Sequence, residues 1–183
     1  MNVGFYGGSF NPPHVAHVLA VSYVLATQPV DKVLVVPCFG HPLGKTLAPF
    51  EHRRALCEAA FAHLRGVEVS SIEQDLGKTS LTVETLRRLR ASNPDWNLRL
   101  IVGSDILEEQ DRWYGWDEIV RLAPLLVLGR LGRPHPGAPP AVLPEVSSSD
   151  VRARLAAGED VSQLLPRGVR AYIAEHGLYG APR

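Results

Sequence analysis

Residues 3–17 read VGFYGGSFNPPHVAH, and this stretch decides the class of fold. Its first four residues form a short apolar run before Gly7 and Gly8, which predicts a buried strand that ends in a turn. Residues 15–27 follow as a mostly apolar segment, and its length predicts a helix. A buried strand, a glycine turn and a helix, in that order, indicate the opening unit of a parallel α/β sheet.

The alternation of apolar strand and helix continues along the chain. Further strands are predicted at residues 32–37, 67–72, 98–102 and 125–128, and helices at residues 50–64, 81–91 and 117–122. Continuous apolar strands separated by helices are typical of a parallel sheet that is covered on both faces. With right-handed crossovers, this order predicts a doubly wound parallel α/β sheet.

The last third of the chain has a different pattern. Residues 130–144 contain several prolines and glycines without a period, so we expect a surface loop. Short helices are predicted at residues 151–157 and 167–176, and Gly177 is a typical end for the second one. We find no internal repeat or linker, and we expect one domain over residues 1–183 with a small helical part at about 147–183.

The balance of charges limits the classes of partner. The chain holds 19 Lys and Arg against 19 Asp and Glu, so it lacks the broad basic field that a nucleic acid would need. It has no run of about 18 apolar residues, and no membrane span is expected. The two isolated cysteines, Cys38 and Cys57, suggest a reducing compartment, and we expect a cytoplasmic protein.

His14 and His17 follow the glycine turn at the start of the first predicted helix. Because they are three residues apart, they share one face of the helix at its N-terminal end. Unpaired N–H groups and the positive end of the helix dipole favour an anion there. Gly7 and Gly8 let the backbone approach a bound group without a Cβ in the way. We therefore predict a phosphate site; the alternative is that the histidines only cap the helix.

The stretch from Gly7 to His17 resembles the His-x-Gly-His signature of the nucleotidyltransferase superfamily. Ala16 stands where that motif usually has glycine, and it adds one methyl group near the phosphates. The resemblance implies a Rossmann-like sheet and a reaction that transfers AMP or CMP from a nucleoside triphosphate.

A second motif lies at residues 146–152, which read VSSSDVR and resemble the Ile-Ser-Ser-Thr-x-Ile-Arg motif of the same superfamily. Ser147 and Ser148 at a helix start supply hydroxyl and backbone donors, and Arg152 one turn later can bind phosphate oxygens. Taken alone, these residues are an ordinary serine cap and a solvent-facing arginine. Together with the histidine motif they indicate a triphosphate site.

Residues 79–86, 102–105, 112–116 and 164–179 are similar to the bacterial nicotinate mononucleotide adenylyltransferase family. The similarity implies that ATP and nicotinate mononucleotide react to give nicotinate adenine dinucleotide and pyrophosphate. Mg²⁺ is the implied cofactor, held mainly by the ATP phosphates and not by a protein metal site. The implied partners are these small molecules, with no nucleic acid and no membrane, and a homo-oligomer is left open.

Two segments form the pyridine end of the implied site. Trp113 offers a flat face for stacking on a pyridine ring. The similarity assigns the backbone of Tyr114 and the segment of Thr82 and Val83 to the nicotinate carboxylate. Leu81 stands where the family often has tyrosine, which alters the lining of this pocket. The alternative for the two aromatic residues is plain packing.

The ATP end of the implied site draws on the first motif, the second motif and two loops. Asp105 follows a predicted strand, where a carboxylate can accept from ribose hydroxyls; the alternative is a helix N-cap. Lys45 lies in a basic loop whose register differs from that of the family, with His41, Arg53 or Arg54 as alternatives. The residues implied to bind ATP are Gly7, Gly8, Ser9, Phe10, His14, His17, Lys45, Gly103, Asp105, Ser147, Ser148 and Arg152.

The implied reaction needs no covalent enzyme intermediate, because the attacking phosphate is already an anion. Catalysis then depends on positioning and on charge neutralisation by His14, His17 and Arg152. The rival interpretations are an adenylyltransferase that uses nicotinamide mononucleotide or phosphopantetheine, and a non-catalytic nucleotide sensor that kept the pocket. Trp113 and Thr82 argue against the phosphopantetheine enzyme.

Overall fold

The computed structural model describes residues 1–40, 44–77, 81–136 and 138–181. The strands are β1 (Asn2–Gly8), β2 (Lys32–Pro37), β3 (Val67–Val69), β4 (Asn97–Gly103), β5 (Leu125–Arg130) and β6 (Ala141–Leu143). The α-helices are α1 (Val15–Thr27), α2 (Phe50–Phe61), α3 (Ile72–Leu76), α4 (Thr82–Ser92), α5 (Trp116–Leu122), α6 (Ser148–Ala156) and α7 (Arg167–His176). Short 3₁₀ turns lie at Ser104–Glu108, Gln110–Arg112 and Leu178–Gly180.

The six strands form a parallel sheet in the order β3-β2-β1-β4-β5-β6. β1 is central, and its Phe5 pairs with Leu34 of β2 on one side and with Leu100 of β4 on the other. The chain starts in the middle, builds outward to β3 and then returns to add β4, β5 and β6. This is the strand order of the doubly wound Rossmann fold, and the predicted fold class is confirmed.

Each face of the sheet is covered by its own layer of helices. On one face, α1, α2, α6 and α7 pack against strand residues such as Val33 and Val35. On the other face, α4 and α5 pack against the strand residues that alternate with these, such as Leu34 and Val36. Because successive side chains of a strand point to opposite faces, one apolar run supplies both cores. The helices after β1 and β4 lie on opposite faces, which opens a crevice between the carboxyl ends of these strands.

The prediction of a loop over residues 130–144 is partly wrong. β5 continues to Arg130, and Ala141–Leu143 forms the sixth strand beside it. The N–H of Leu131 donates to the carbonyl of Leu143 at 2.9 Å. A strand of three residues is too short to show an alternating apolar pattern. Its pairing with β5 is made by backbone groups, and a proline-rich sequence does not predict such pairing.

The third strand is shorter than predicted. It ends at Val69, and α3 begins at Ile72 within the range expected to be strand. Glu73 on this helix is buried, and its carboxylate accepts from the hydroxyl of Thr85 and from the N–H of Phe39. These partners lie in distant parts of the chain, so the turn depends on tertiary contacts that local periodicity does not show.

The C-terminal helices are close to the prediction. α6 begins at Ser148, earlier than expected, and the Ser147 side chain caps it by accepting from the N–H of Asp150 at 3.1 Å. α7 ends as predicted, and Gly177 follows it with a φ of 60°. Among the described residues, no helix has both the length and the apolar character needed to cross a membrane.

Leu56 of α2 is fully buried in the core that covers the first face of the sheet. We expect Leu56→Ala to lower the free energy of unfolding by about 2–5 kcal/mol, because it removes apolar contacts and leaves a cavity. Urea denaturation followed by circular dichroism measures the change. Leu131→Ala is the matched control, since that side chain is 62% exposed. An equal loss in both variants would contradict the assigned core.

Candidate active site

A cavity of about 720 Å³ lies at the carboxyl ends of the central strands. It occupies the crevice between β1 and β4, where doubly wound sheets bind ligands, and its volume suits a small-molecule ligand. The structure brings most of the predicted site residues together here. Those that line the cavity are Gly7, Gly8, Ser9, His14, His17, Lys45, Thr82, Gly103, Asp105, Trp113, Tyr114, Ser147, Ser148 and Arg152.

Two predicted site residues, Phe10 and Val83, lie behind the cavity wall. Phe10 is 1% exposed, and its ring packs edge-on against His17, with the centroids 5.0 Å apart. Val83 is fully buried in the apolar cluster on the α4 side of the sheet. Their side chains therefore support the wall and do not face the cavity.

The two histidines of the first motif stack on each other. Their ring centroids are 3.8 Å apart, and Nδ1 of His17 accepts from the N–H of His14 at 3.0 Å. This bond places the proton of a neutral His17 on Nε2, which is then a hydrogen-bond donor. The N–H of Val15 already donates to the carbonyl of Leu164 at 2.9 Å. At this end of α1, the N–H of Val15 is therefore occupied, whereas Nε2 of His17 remains a potential donor to a ligand.

Both imidazoles are neutral at physiological pH. Burial, together with the smaller effect of the charge of Arg130, lowers the pKa of His14 to about 3. Burial, followed by the influence of His14 and Arg130, holds the pKa of His17 well below its usual value. A neutral imidazole has one N–H donor, so the histidines can supply directed hydrogen bonds while the positive charge comes from arginine.

Arg130 is a cavity residue that the sequence reasoning missed. It ends β5, and its guanidinium donates to the carboxylate of Asp105 at 3.2 Å and to the carbonyl of Val146. Its backbone N–H donates to the hydroxyl of Ser104 at 3.1 Å. The rule that ligands meet the carboxyl ends of parallel strands, applied to the fifth strand, could have found it.

Asp105 lies at the edge of the crevice, as predicted. The alternative in which it caps a helix is wrong, because the 3₁₀ turn begins at Ser104 and its N-cap is Gly103. A Cβ at Gly103 would lie 2.4 Å from Oδ1 of Asp105, so the glycine permits this close approach. The two carboxylate oxygens carry several acceptor sites, and Asp105 can accept from a hydroxyl in addition to Arg130.

The second motif begins α6 and reaches the loop that follows β1. The hydroxyl of Ser148 donates to the carbonyl of Pro12 at 2.8 Å, and the guanidinium of Arg152 donates to the carbonyl of Asn11 at 2.7 Å. Arg152 is half-buried beside the cavity, so the alternative of a solvent-facing arginine is wrong. The two motifs, far apart in sequence, are hydrogen-bonded to each other.

The pyridine end of the predicted site lies at the start of α4. The N-cap of this helix is Leu81, whose side chain makes no capping hydrogen bond. Thr82 is the first helical residue, and it lines the cavity. The ring of Trp113 packs edge-on against Trp116 at 5.9 Å between centroids, whereas Tyr114 is 69% exposed. The alternative of plain packing therefore explains part of the environment of Trp113, but it does not explain the exposed ring of Tyr114.

Of the described basic residues proposed for the loop after β2, Lys45 is exposed and lines the cavity. Arg54 is on the surface, in ion pairs with Glu51 and Glu58. Arg53 is 1% exposed, and its guanidinium donates to backbone carbonyls, namely those of Ser9, Cys38, Phe39 and Ala48. Neither arginine lines the cavity, which favours Lys45. His41 lies outside the described residues.

Comparison with known proteins identifies the family. The model of the cytidylyltransferase-like family matches residues 5–154. A probable nicotinate-nucleotide adenylyltransferase of Anaeromyxobacter dehalogenans is 50% identical over 181 residues, covering 97% of this chain and 96% of that protein. One of Myxococcus xanthus is 46% identical over 184 residues, covering 100% and 97%. The chain therefore belongs to the cytidylyltransferase-like family and, within it, to the nicotinate-nucleotide adenylyltransferases.

Solved structures agree on the fold. The Plasmodium falciparum nicotinic acid mononucleotide adenylyltransferase complexed with NaAD has a TM-score of 0.86, covers 99% of this chain and 98% of its own, and is 19% identical. A putative nicotinate-nucleotide adenylyltransferase from Vibrio parahaemolyticus has a TM-score of 0.75 at 22% identity, covering 99% and 96%. The likeness at these identities is one of fold, over nearly the whole length.

The low pKa of His14 predicts a loss of stability in acid. Between its ordinary pKa of 6.5 and about 3 in the folded protein, the unfolded chain binds a proton that the folded chain does not. Above its ordinary pKa, His14 therefore does not change the free energy of unfolding. Below that pKa, the free energy of unfolding falls as the pH drops. At pH 5 the loss due to His14 is about 2 kcal/mol.

We expect His14→Asn to shrink the difference between the unfolding free energies at pH 7 and pH 5 by about 2 kcal/mol, as measured by urea denaturation. The matched control is His63→Asn, because His63 is exposed on the surface. An unchanged pH difference in the His14 variant would show that this imidazole is not held neutral.

Proposed function

We propose that this chain transfers the adenylyl group of ATP to nicotinate mononucleotide, giving nicotinate adenine dinucleotide and pyrophosphate in NAD synthesis. The observation that carries the proposal is the stacked pair of His14 and His17 next to Arg130, at the carboxyl end of the central strand. Relatives that carry the nicotinate-nucleotide adenylyltransferase name, 50% and 46% identical over nearly the whole chain, support the choice of substrates.

The reaction is an in-line displacement at phosphorus. An oxygen of the mononucleotide 5′-phosphate attacks the α-phosphorus of ATP, and the bond from that phosphorus to the bridging oxygen breaks. Pyrophosphate leaves with the electron pair of the broken bond. Because the nucleophile is already an anion at neutral pH, the enzyme needs to position and neutralise charge more than to move protons. Alignment of two bound substrates can contribute about 7–11 kcal/mol.

The cavity residues divide the task of holding the triphosphate. His14 and His17 donate directed hydrogen bonds to the α- and β-phosphates. Arg152 binds the β- and γ-phosphates with N–H groups other than the one that holds Asn11. Arg130 supplies the positive charge that reaches both imidazoles. A donor aimed at charge that develops in the transition state is worth about 3 kcal/mol.

The divalent ion enters as part of the substrate. Among the described residues, no group of three or more His, Cys, Asp or Glu side chains is arranged to hold a metal ion. Asp105, a carboxylate at the crevice edge, is paired with Arg130. Most ligands of Mg²⁺ in its complex with ATP are phosphate oxygens and water, so the ion needs few protein ligands. A site built of histidine and arginine is compatible with such an ion. The chain then binds the Mg²⁺–ATP complex through the phosphates.

The start of α4 suits a carboxylate on the pyridine ring. Its N-cap residue is Leu81, whose side chain cannot accept from the first N–H groups, and the positive end of the helix dipole lies there. Thr82 at the cavity wall adds a hydroxyl, and Trp113 stacks on the ring. A carboxylate gains from this arrangement, whereas the neutral amide of nicotinamide gains less.

The first experiment measures pyrophosphate release by the purified protein with Mg²⁺–ATP and nicotinate mononucleotide. We expect His17→Ala to lower kcat by about 100-fold, because it removes a phosphate donor and the acceptor that fixes the N–H of His14. His63→Ala, at an exposed position, is the matched control. A folded His17→Ala protein with undiminished turnover would remove the histidine from the mechanism.

The same assay separates the rival functions. Wild-type protein that binds ATP but releases no pyrophosphate with any pyridine mononucleotide or with phosphopantetheine would be a sensor. Faster turnover with nicotinamide mononucleotide than with nicotinate mononucleotide would overturn the choice of substrate.

A pair of variants at Leu81 tests the carboxylate site. Asp and Asn have similar shapes, and both can cap a helix by accepting from its first N–H groups. Only Leu81→Asp adds a negative charge, so we expect its KM for nicotinate mononucleotide to be about tenfold higher than that of Leu81→Asn. Equal KM values would place the carboxylate away from the start of α4. The KM for ATP, whose phosphates bind at α1 and α6, serves as the internal control.

A further inference from the structure

The C-terminal end of the described chain contacts the loop that carries the first motif. After α7, the 3₁₀ turn Leu178–Gly180 places Tyr179 next to Asn11. The hydroxyl of Tyr179 donates to Oδ1 of Asn11 at 3.0 Å, across 168 residues of sequence. Burial raises the pKa of Tyr179 far above its usual range, so the hydroxyl keeps its proton and acts as the donor.

Asn11 joins several segments around the cavity. It is 3% exposed, and Oδ1 also accepts from the N–H of Ala48 at 3.1 Å. Its carbonyl accepts from Arg152 at 2.7 Å, and the carbonyl of the next residue, Pro12, accepts from Ser148. Asn11 itself lines the cavity. The position of this one residue therefore affects the loop before α1, the segment before α2 and the start of α6.

Tyr179 is held firmly enough to act on Asn11. Its φ of 60° and ψ of 23° lie in the left-handed region, which a residue with a bulky side chain adopts only when its surroundings enforce it. Its ring packs against the apolar core that covers the first face of the sheet. Tyr179 does not line the cavity, and Asn11 is the cavity residue that its hydroxyl contacts.

We propose that Tyr179 is a positioning residue for the triphosphate site, acting through Asn11 to fix the loop that carries His14 and the carbonyl that orients Arg152. The inference rests on the proposed function and extends it, because it makes the C-terminal turn part of the nucleotide site. The proposed pyridine end of the cavity is formed by the start of α4 and the segment around Trp113. Neither of these segments takes part in the contact between Tyr179 and Asn11.

The proposal predicts a particular change in kinetics for Tyr179→Phe. The variant keeps the ring and its packing and removes only the hydroxyl, while Oδ1 of Asn11 retains its bond from Ala48. We expect kcat to fall about five- to tenfold, because the loop is less well aligned with the phosphates. We expect the KM for nicotinate mononucleotide to change less than twofold, because that substrate binds at the other end of the cavity.

Tyr172→Phe is the matched control. It makes the same chemical change in the same C-terminal segment, and the Tyr172 hydroxyl pairs with Nδ1 of His52 at 3.1 Å, away from the cavity. We expect it to keep wild-type kcat even if its melting temperature falls as much as that of Tyr179→Phe. Equal losses of kcat in the two variants would show a general loss of stability and would overturn the proposal.

Hydrogen–deuterium exchange tests the same contact without any turnover. We expect faster exchange in residues 9–17 of Tyr179→Phe than in wild type or Tyr172→Phe. Unchanged exchange there, or a wild-type kcat in Tyr179→Phe, would overturn the proposal. If the wild-type protein failed to use nicotinate mononucleotide, the proposed function would fall, while the exchange result and the affinity for Mg²⁺–ATP by calorimetry would still decide the role of Tyr179.

A double variant isolates the path through Asn11. If Tyr179 acts only on this residue, adding Tyr179→Phe to Asn11→Ala lowers kcat no further than Asn11→Ala alone. Losses that multiply would mean that Tyr179 acts by another route, and the proposal would be wrong.

Discussion

The central position of β1 is the constraint on which the rest of the structure depends. β1 pairs with β2 on one side and with β4 on the other, and the helices that follow β1 and β4 cover opposite faces of the sheet. The backbone therefore leaves a crevice at the carboxyl ends of these two strands. The loops after β1, β4 and β5 leave the sheet at this same edge, so their polar groups meet there whatever their distance in sequence.

Two of the positive charges at the cavity, those of Arg130 and Arg152, belong to side chains whose positions are fixed by the protein. Arg130 is held by Asp105 and Val146, and Arg152 is held by Asn11. Donors that are already oriented need little rearrangement when a charged ligand arrives, which is the source of most electrostatic catalysis. The imidazoles beside them are neutral because burial and Arg130 lower their pKa values. Directed donors and fixed charges thus come from different residue types.

How far the sequence predicted the structure depends on the range of the contacts involved. The strand at residues 32–37 and the helix at residues 15–27 were predicted correctly, because apolar periodicity records which faces are buried. β6 and α3 were missed, since one depends on backbone pairing with β5 and the other on the buried Glu73. Most of the predicted site residues meet at the cavity, because the motif residues follow strands or begin helices at its edge.

By itself, the sequence determined the order of β1 to β5 and of the α-helices other than α3, the glycine turn after β1, and the three-residue spacing of His14 and His17 at the start of α1. These features depend on the residues themselves and their near neighbours in the chain. Only the tertiary structure decided that Arg130 faces the same cavity as the histidines, that Arg53 holds the loop carbonyls, and that Tyr179 reaches Asn11. Such contacts join segments far apart in sequence, and their geometry exists only once the sheet has brought its loops to one edge.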